Sequence, residues 1–270
     1  MSRPTIIPAQ TWALITGAGS GIGRCYALRL AAMGYNLVLV GNHEAALKQV
    51  VTELQPRSSE QQFRTLQLDL ARLEAANELY EAVGAAGIEI DLLINNAGIF
   101  SFCDVLNTPE EKIERILLLH DMTTTKLCRR YAARMVERGV RGHILNMSSY
   151  SLWMPFPGLA IYSASKAYLK AFSVAFSKEV AEHGITVTAI CPAGVATDLY
   201  GLSHKLQKFG VRVGGLITAD RCAKRGLKAL WRGTRCSVPD WWNRLWIPLL
   251  VALPMWILRP IRRRTMQFQK

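Results

Sequence analysis

Apolar and polar positions alternate along the chain between short buried runs and longer amphipathic ones. Trp12-Ala-Leu-Ile-Thr16 is an apolar run closing on a glycine loop, and Asn36-Leu-Val-Leu-Val40 has the continuous apolar character of a strand covered on both faces. Phe63 to Leu68 alternates like a third strand, and Asp91 to Asn95, His143 to Met147 and Ile185 to Ile190 read as three more strands. Between them Ile22 to Met33, Glu44 to Leu54, Leu73 to Ala86 and Ile161 to Glu182 read as helices. A long helix is predicted over Pro109 to Arg138, with Thr108 as its N-cap and Pro109 at the first helical position. Thr218 to Trp231 reads as a last helix and Thr234 to Val238 as a seventh strand. Strands alternating with helices predict an α/β fold, a doubly wound, mostly parallel seven-stranded sheet with helices on both faces. Ligands in such sheets bind outside the carboxyl ends of the strands, where strand order reverses.

Three motifs add chemistry to that pattern. Thr16-Gly-Ala-Gly-Ser-Gly-Ile-Gly23 follows the first strand and opens the first helix. Gly17 permits a tight turn, and Gly21 and Gly23 let a pyrophosphate approach backbone N–H groups and a helix N-terminus. Asn95-Asn-Ala-Gly98 closes the fourth strand, where the Asn96 amide can either bind a ribose or brace the neighbouring strand. Tyr162-Ser-Ala-Ser-Lys166 puts a phenol and an ammonium on one helix face, and the ammonium favours the phenolate. Ser148 and Ser149 end the fifth strand, and the loop that follows can return Ser149 to the same pocket as Tyr162.

The three motifs in this order resemble the short-chain dehydrogenase/reductase superfamily, over about residues 10–240. The resemblance implies a Rossmann-type domain binding NAD(P) and interconverting a carbonyl and an alcohol. Ser149 would hydrogen-bond the substrate oxygen, Tyr162 would carry its proton, and Lys166 would hold the nicotinamide ribose and lower the Tyr162 pKa. The implied cofactor contacts are Gly17, Gly19, Ser20, Gly21, Ile22 and Gly23 of the loop, Asn42 and His43 after the second strand, Asp69 (an adenine contact) and Leu70, Asn96, Ala97 and Gly98, Tyr162 and Lys166. Pro192, Val195 and Thr197 complete the set, in the Cys191-Pro192-Ala-Gly-Val-Ala-Thr197 segment near the nicotinamide amide. A homodimer or homotetramer is the implied assembly.

The chain departs from the family pattern in three places. His120, in Leu119-His-Asp-Met122, stands where the family often has an asparagine supporting a proton-relay water; it is expected to hold that water, to relay protons itself, or to be a half-buried helix histidine with neither role. Ala193 replaces a glycine in the Pro192 segment. The second strand ends in Gly41-Asn42-His43, with no carboxylate until Glu44 to repel a 2′-phosphate and no arginine to bind one. Arg24 and His43 offer positive charge instead, so NADP(H) is expected over NAD(H).

Charge changes the picture only towards the C-terminus. Residues 1–200 hold 18 Lys/Arg and 18 Asp/Glu, whereas residues 201–270 hold 15 Lys/Arg against Asp220 and Asp240, which accounts for the net charge of +13. Five of the seven tryptophans lie there as well. Residues 241–270 are therefore read as a basic, Trp-rich extension to a 1–240 domain. Its uncharged run Leu245 to Leu258 is shorter than the roughly 20 residues a spanning helix needs. Trp241, Trp242 and a cluster of arginines flank that run, which suits an anionic membrane surface, or packing on the chain itself or a partner subunit.

Residues 193–217 are glycine-rich and expected to form a lid over the substrate. The nearby apolar residues Leu152, Trp153, Met154, Phe156, Leu159, Leu199, Tyr200 and Leu202 suggest a small hydrophobic carbonyl or alcohol substrate, a keto-lipid or steroid-like ketone. A catalytically silent nucleotide sensor is the rival reading, and intact Ser149, Tyr162 and Lys166 count against it. No helix-turn-helix, zinc or RNA-binding signature supports a nucleic-acid partner. The six cysteines form no CxxC pair and no metal cluster with the five histidines, so a reduced, cytoplasmic protein is expected, without a bound metal. Met1 to Gln10 has no apolar core, so a secretory signal is not expected.

Overall fold

In a computed structural model of the chain, the described residues are 11–240 except 58, 59 and 155, together with 243, 245, 249, 254, 256, 257, 259 and 260. Most of the 241–270 extension therefore lies outside them. The strands are β1 (Trp12–Thr16), β2 (Asn36–Gly41), β3 (Phe63–Gln67), β4 (Ile90–Asn95), β5 (His143–Met147), β6 (Thr186–Ile190), β7 (Val195–Ala196), β8 (Ile217–Thr218) and β9 (Cys236–Ser237). The helices are α1 (Gly21–Ala31), α2 (Glu44–Leu54), α3 (Ala75–Ala85), α4 (Glu110–Leu117), α5 (Thr124–Glu137), α6 (Ala160–Glu179), α7 (His204–Arg212) and α8 (Ala219–Trp231).

Seven strands form one sheet in the order β3-β2-β1-β4-β5-β6-β9, and every neighbouring pair is parallel. The order reverses between β1 and β4, which fixes the switch point at the ends of the two strands carrying the glycine turn and the Asn95–Gly98 motif. Successive strand residues point to opposite faces. Ile15, Leu37, Leu39 and Ile94 pack under α1, α2 and α8, and Leu14, Val38, Val40 and Leu93 pack under α3 and α5. Burial on both faces is why these strands read as continuous apolar runs. Each fully buried leucine contributes roughly 1.5–3 kcal/mol.

The long helix predicted over residues 109–138 is divided. A π-helical segment, Leu118–Thr123, separates α4 from α5. Threonine hydroxyls take over local polar partners there. Thr124 Oγ1 donates to the Leu119 carbonyl (3.3 Å) and Thr123 Oγ1 to the Leu70 carbonyl (3.0 Å). The cap also differs from expectation. Thr108 turns its hydroxyl back to the Asp104 carbonyl (3.0 Å), and Pro109 sits one position outside α4 with extended ψ.

At α8 the expected first residue is the cap, with Thr218 Oγ1 accepting from the Arg221 amide at 3.2 Å. The seventh strand is shorter than predicted and pairs only through Cys236 and Ser237. The 193–217 segment, expected to form a glycine-rich lid, contains α7, all of β7 and the first residue of β8, which pairs with β7 in a separate ladder. Among the described residues no helix is long and apolar enough to cross a membrane, and no group of three or more metal-ligating side chains converges.

Candidate functional site

A cleft of about 440 Å³ opens at the switch point. Gly17, Ser20, Gly21 and Ile22 line it from the β1–α1 turn, and Asn42, Asp69 and Leu70 from the ends of β2 and β3. Asn96, Ala97 and Gly98 line it after β4, Ser149 after β5, Tyr162 and Lys166 from α6, and Pro192, Val195 and Thr197 after β6. Gly17 and Gly21 adopt positive φ (64° and 52°), the left-handed turn that leads the chain from β1 into α1 and brings the helix N-terminus to the cleft. Ser20 makes no side-chain cap to α1 and faces the cleft instead.

Four of the expected site residues stand outside this lining. A Cβ on Gly19 would meet Ala46 Cβ at 3.0 Å, so this glycine packs on α2. A Cβ on Gly23 would lie 2.1 Å from the Gly17 carbonyl oxygen, so Gly23 lets the helix close on its own turn. His43 is exposed at the start of α2 and does not reach the cleft. Arg24, paired with it in the sequence reading as a source of positive charge, instead holds Glu53 with two hydrogen bonds (2.8 and 2.6 Å). His120, the fourth, is buried behind the lining.

The polar geometry around His120 differs from a relay. Its Nε2 accepts from the Ile99 amide (3.0 Å), and its Nδ1 lies 2.9 Å from Ser165 Oγ. A backbone N–H can only donate, so Nε2 is unprotonated and the ring proton sits on Nδ1, directed to Ser165. The Ser165 hydroxyl donates in turn to the Tyr162 carbonyl (2.9 Å). Burial, and then the Lys166 charge, hold the imidazole well below its ordinary pKa. Both nitrogens are committed, so His120 fixes the 99–100 backbone against α6 as a neutral ring.

The Asn96 amide braces the neighbouring strand. Nδ2 donates to the Thr16 carbonyl (3.0 Å) and the Gly17 carbonyl (3.2 Å), bracing β1. Thr16 Oγ1 accepts from the Asn96 and Ala97 amides (2.9 and 3.0 Å). Deeper in the sheet, Asn95 Nδ2 donates to Asn146 Oδ1 (2.8 Å) and Asn146 Nδ2 to Ser173 Oγ (2.9 Å), tying β4, β5 and α6 together.

After β5, Ser149 Oγ accepts from the Ser151 amide (3.1 Å), which leaves its own proton to donate. Lys166 Nζ donates to the Met147 carbonyl (3.0 Å) and lies 5.6 Å from the centre of the Tyr162 ring. Burial pushes the Lys166 ammonium down to about 8, and the Asp121 charge works against that fall. The Tyr162 ring is wedged edge-on against Phe100 (5.1 Å between centroids) and His120 (6.0 Å).

Two groups were not singled out from the sequence. Arg115 lines the cleft and pairs with Asp69 at 3.0 Å. Burial alone would raise the Asp69 carboxyl, but the Ala71 amide and Arg115 outweigh it and hold it below its ordinary value. Asp121 in the π-helical segment is pushed up to about 6 by burial, with Lys166 opposing. Among the described apolar residues expected to line a substrate pocket, Leu199 borders the cleft, and the Tyr200 side chain lies outside the description. Leu152, Trp153 and Met154 pack instead with Tyr150, Cys191 and Val238.

Residues 11–207 match the family model described as short chain dehydrogenase. The chain is 36% identical over 181 residues to a very-long-chain 3-oxoacyl-CoA reductase of Pyricularia oryzae, covering 66% of this chain and 54% of that protein. It is 35% identical over 192 residues to the protein of the same description from Pyrenophora tritici-repentis, covering 70% and 56%. The chain thus spans about half the length of the curated relatives it matches. A solved short-chain dehydrogenase from Sphingobium yanoikuyae in complex with NADPH superposes with a TM-score of 0.76 at 29% identity, covering 90% of this chain and 96% of its own. A bulky-bulky ketone specific alcohol dehydrogenase from Comamonas testosteroni gives 0.75 at 27% identity, covering 93% and 96%.

Proposed function

The chain belongs to the short-chain dehydrogenase family, and on that premise we propose that it transfers hydride between a nicotinamide cofactor and a lipophilic carbonyl or alcohol, with Tyr162 handling the proton. One observation carries this reading. A single cleft is lined by the glycine turn, Ser149, Tyr162 and Lys166. The residues fit a dinucleotide: two left-handed glycines open the turn before α1, and Lys166 Nζ has two further protons to give beyond its bond to Met147. When bound, the nicotinamide supplies or takes up the hydride, and the protein supplies position and protons.

In the direction of reduction, Ser149 donates to the substrate oxygen and holds it beside the phenol. Tyr162 gives its proton as negative charge develops on that oxygen, a general-acid contribution of roughly 10²–10⁴-fold. Lys166, desolvated between Met147 and the Tyr162 ring, favours the phenolate left behind. In the reverse direction the phenolate takes the proton back.

A cofactor preference for NADP(H) belongs to the same reading. It is supported by the absence of a carboxylate among the β2-end residues Gly41 and Asn42 that line the cleft, and by the NADPH complex of the 29% identical neighbour. The preference then rests on the lack of a repelling acid, because Arg24 is engaged by Glu53. The substrate class we propose is a keto-lipid, such as a long-chain 3-oxoacyl compound, following the relatives' descriptions. Self-association as a dimer or tetramer is part of the proposal, and exposed Leu117, Val136 and Tyr168 on α4 to α6 leave apolar surface for a second copy.

The test is NADPH oxidation against long-chain 3-keto lipids and ketosteroids, with the Tyr162→Phe variant as control. Turnover by the wild type, lost by at least roughly 10²-fold in Tyr162→Phe with NADPH binding retained, is the expected result. Tight NADPH binding with no turnover on any of these compounds would favour the silent nucleotide sensor.

A further inference from the structure

The helix in the lid is seated the wrong way round for a surface helix. The inward side of α7 is Gln207, which is buried and donates to Asp198 Oδ1 (3.1 Å) and the Leu202 carbonyl (2.9 Å). Gly210 is also on that side, so close to Leu216 that a Cβ would come within 2.7 Å of it. The outward side carries Leu206, Phe209 and, at the helix end, Val213, which are 56%, 62% and 60% exposed. At about 100° per residue these three fall within roughly 60° of arc. Amphipathic helices of globular proteins turn such a stripe to the core. A lone exposed leucine needs no explanation, but a continuous stripe marks an interaction surface.

Charge decides what that surface meets. Lys205, Lys208 and Arg212, all exposed, form the adjoining row, and no Asp or Glu occurs from Gly201 to Ala219. An apolar stripe beside an uncompensated basic row matches acyl chains beneath anionic headgroups. We propose that α7 docks the protein on an anionic lipid surface. Leu206, Phe209 and Val213 enter the interface, and Lys205, Lys208 and Arg212 lie against the headgroups. Asp198 and Leu199, just before α7, line the cleft, so docking sets the cleft mouth against the bilayer. A lipophilic substrate would then enter from the membrane. That last consequence rests on the proposed oxidoreductase reading; the docking does not.

The experiment is flotation of the full chain with phosphatidylcholine vesicles, with and without phosphatidylserine. Binding should require phosphatidylserine and weaken as salt rises above about 0.15 M. Replacing Leu206, Phe209 and Val213 together by serine should weaken it at least ten-fold. Reversing Lys205, Lys208 and Arg212 to glutamate should do at least as much, since each basic residue near such a surface is worth roughly five-fold. Circular dichroism and thermal unfolding unchanged from wild type keep the comparison valid, and neither readout involves turnover, so a failed docking and a failed redox reading give different results. Absence of wild-type binding overturns the proposal. So does binding that survives the serine substitutions, which would place it in residues 241–270, and so does binding indifferent to phosphatidylserine. A wild-type oligomer that the serine substitutions dissociate, measured by light scattering, would make the stripe a contact between copies and overturn it as well.

Discussion

An alanine at Gly23 would place its Cβ 2.1 Å from the Gly17 carbonyl oxygen and 2.6 Å from Asn96 Nδ2. Non-bonded carbons rarely come closer than about 3 Å to such atoms, so the overlap is close to an ångström. The neighbours are backbone and a short, doubly bonded amide, and neither can swing aside. Relief means moving α1 off the turn, at roughly 1–3 kcal/mol for overpacking. It also strains the bonds from Asn96 to the Thr16 and Gly17 carbonyls, each worth roughly 0.5–1.5 kcal/mol. Together the cost is about 2–6 kcal/mol, which for a chain of this size lowers Tm by roughly 4–11 °C. Gly19, in the same loop, gives the internal control. Its added Cβ meets only Ala46 Cβ at 3.0 Å, and a small shift of α2 should hold the cost below about 1 kcal/mol. Thermal and urea unfolding without cofactor, alongside NADPH titration by fluorescence, measure both variants. A Gly23→Ala protein as stable as wild type, or a Gly19→Ala protein the worse damaged, would refute the packing account of this turn.

Lys166 ionises at about 8 in the fold against an ordinary 10.5, so between those values the unfolded chain holds more protons and stability rises with pH. Wild type should gain up to about 3 kcal/mol relative to Lys166→Met in urea unfolding between about pH 7 and pH 10, and a flat difference would refute it. His120→Asn should keep the shape of the pH–kcat profile, whereas loss of an ionisation from that profile would restore the relay. His120→Leu leaves the Ile99 amide unpaired and should cost about 1–3 kcal/mol in unfolding experiments. Glu53→Ala releases Arg24 and should raise the kcat/KM ratio of NADPH over NADH, while an unchanged ratio would show that Arg24 lies out of reach of the cofactor.

The sheet was readable because strands buried on both faces leave uninterrupted apolar runs, and the helices because their stripes face that sheet. The glycine turn, Ser149, Tyr162 and Lys166 line one cleft because the turn and Ser149 follow strands, and Tyr162 and Lys166 share one face in the first two turns of α6, elements whose place the pattern fixes. The role of His120 was not readable, since its partners, the Ile99 amide and Ser165, are set by tertiary contact. Arg24 was misjudged for a similar reason: its partner Glu53 is 29 residues away on α2. The π-helical segment was hidden by the leucines at 117, 118 and 119, which satisfy helical spacing in either phase. Helix α7 was missed because Gly210, Gly214 and Gly215 interrupt its pattern, and because its apolar side has no core to answer to.

The widened turn between α4 and α5 makes this stretch a matter of residue count. A π-helical turn holds one residue more than regular winding needs. Removing any one residue from Leu118–Thr123 would let the two helices merge, and α4 would swing about 100° around the shared axis. His120 would leave the Ile99 amide, and the support behind the Tyr162 ring would go with it. Exchanging a side chain there disturbs one contact, but shortening the stretch unhooks the helix from the chemistry it backs.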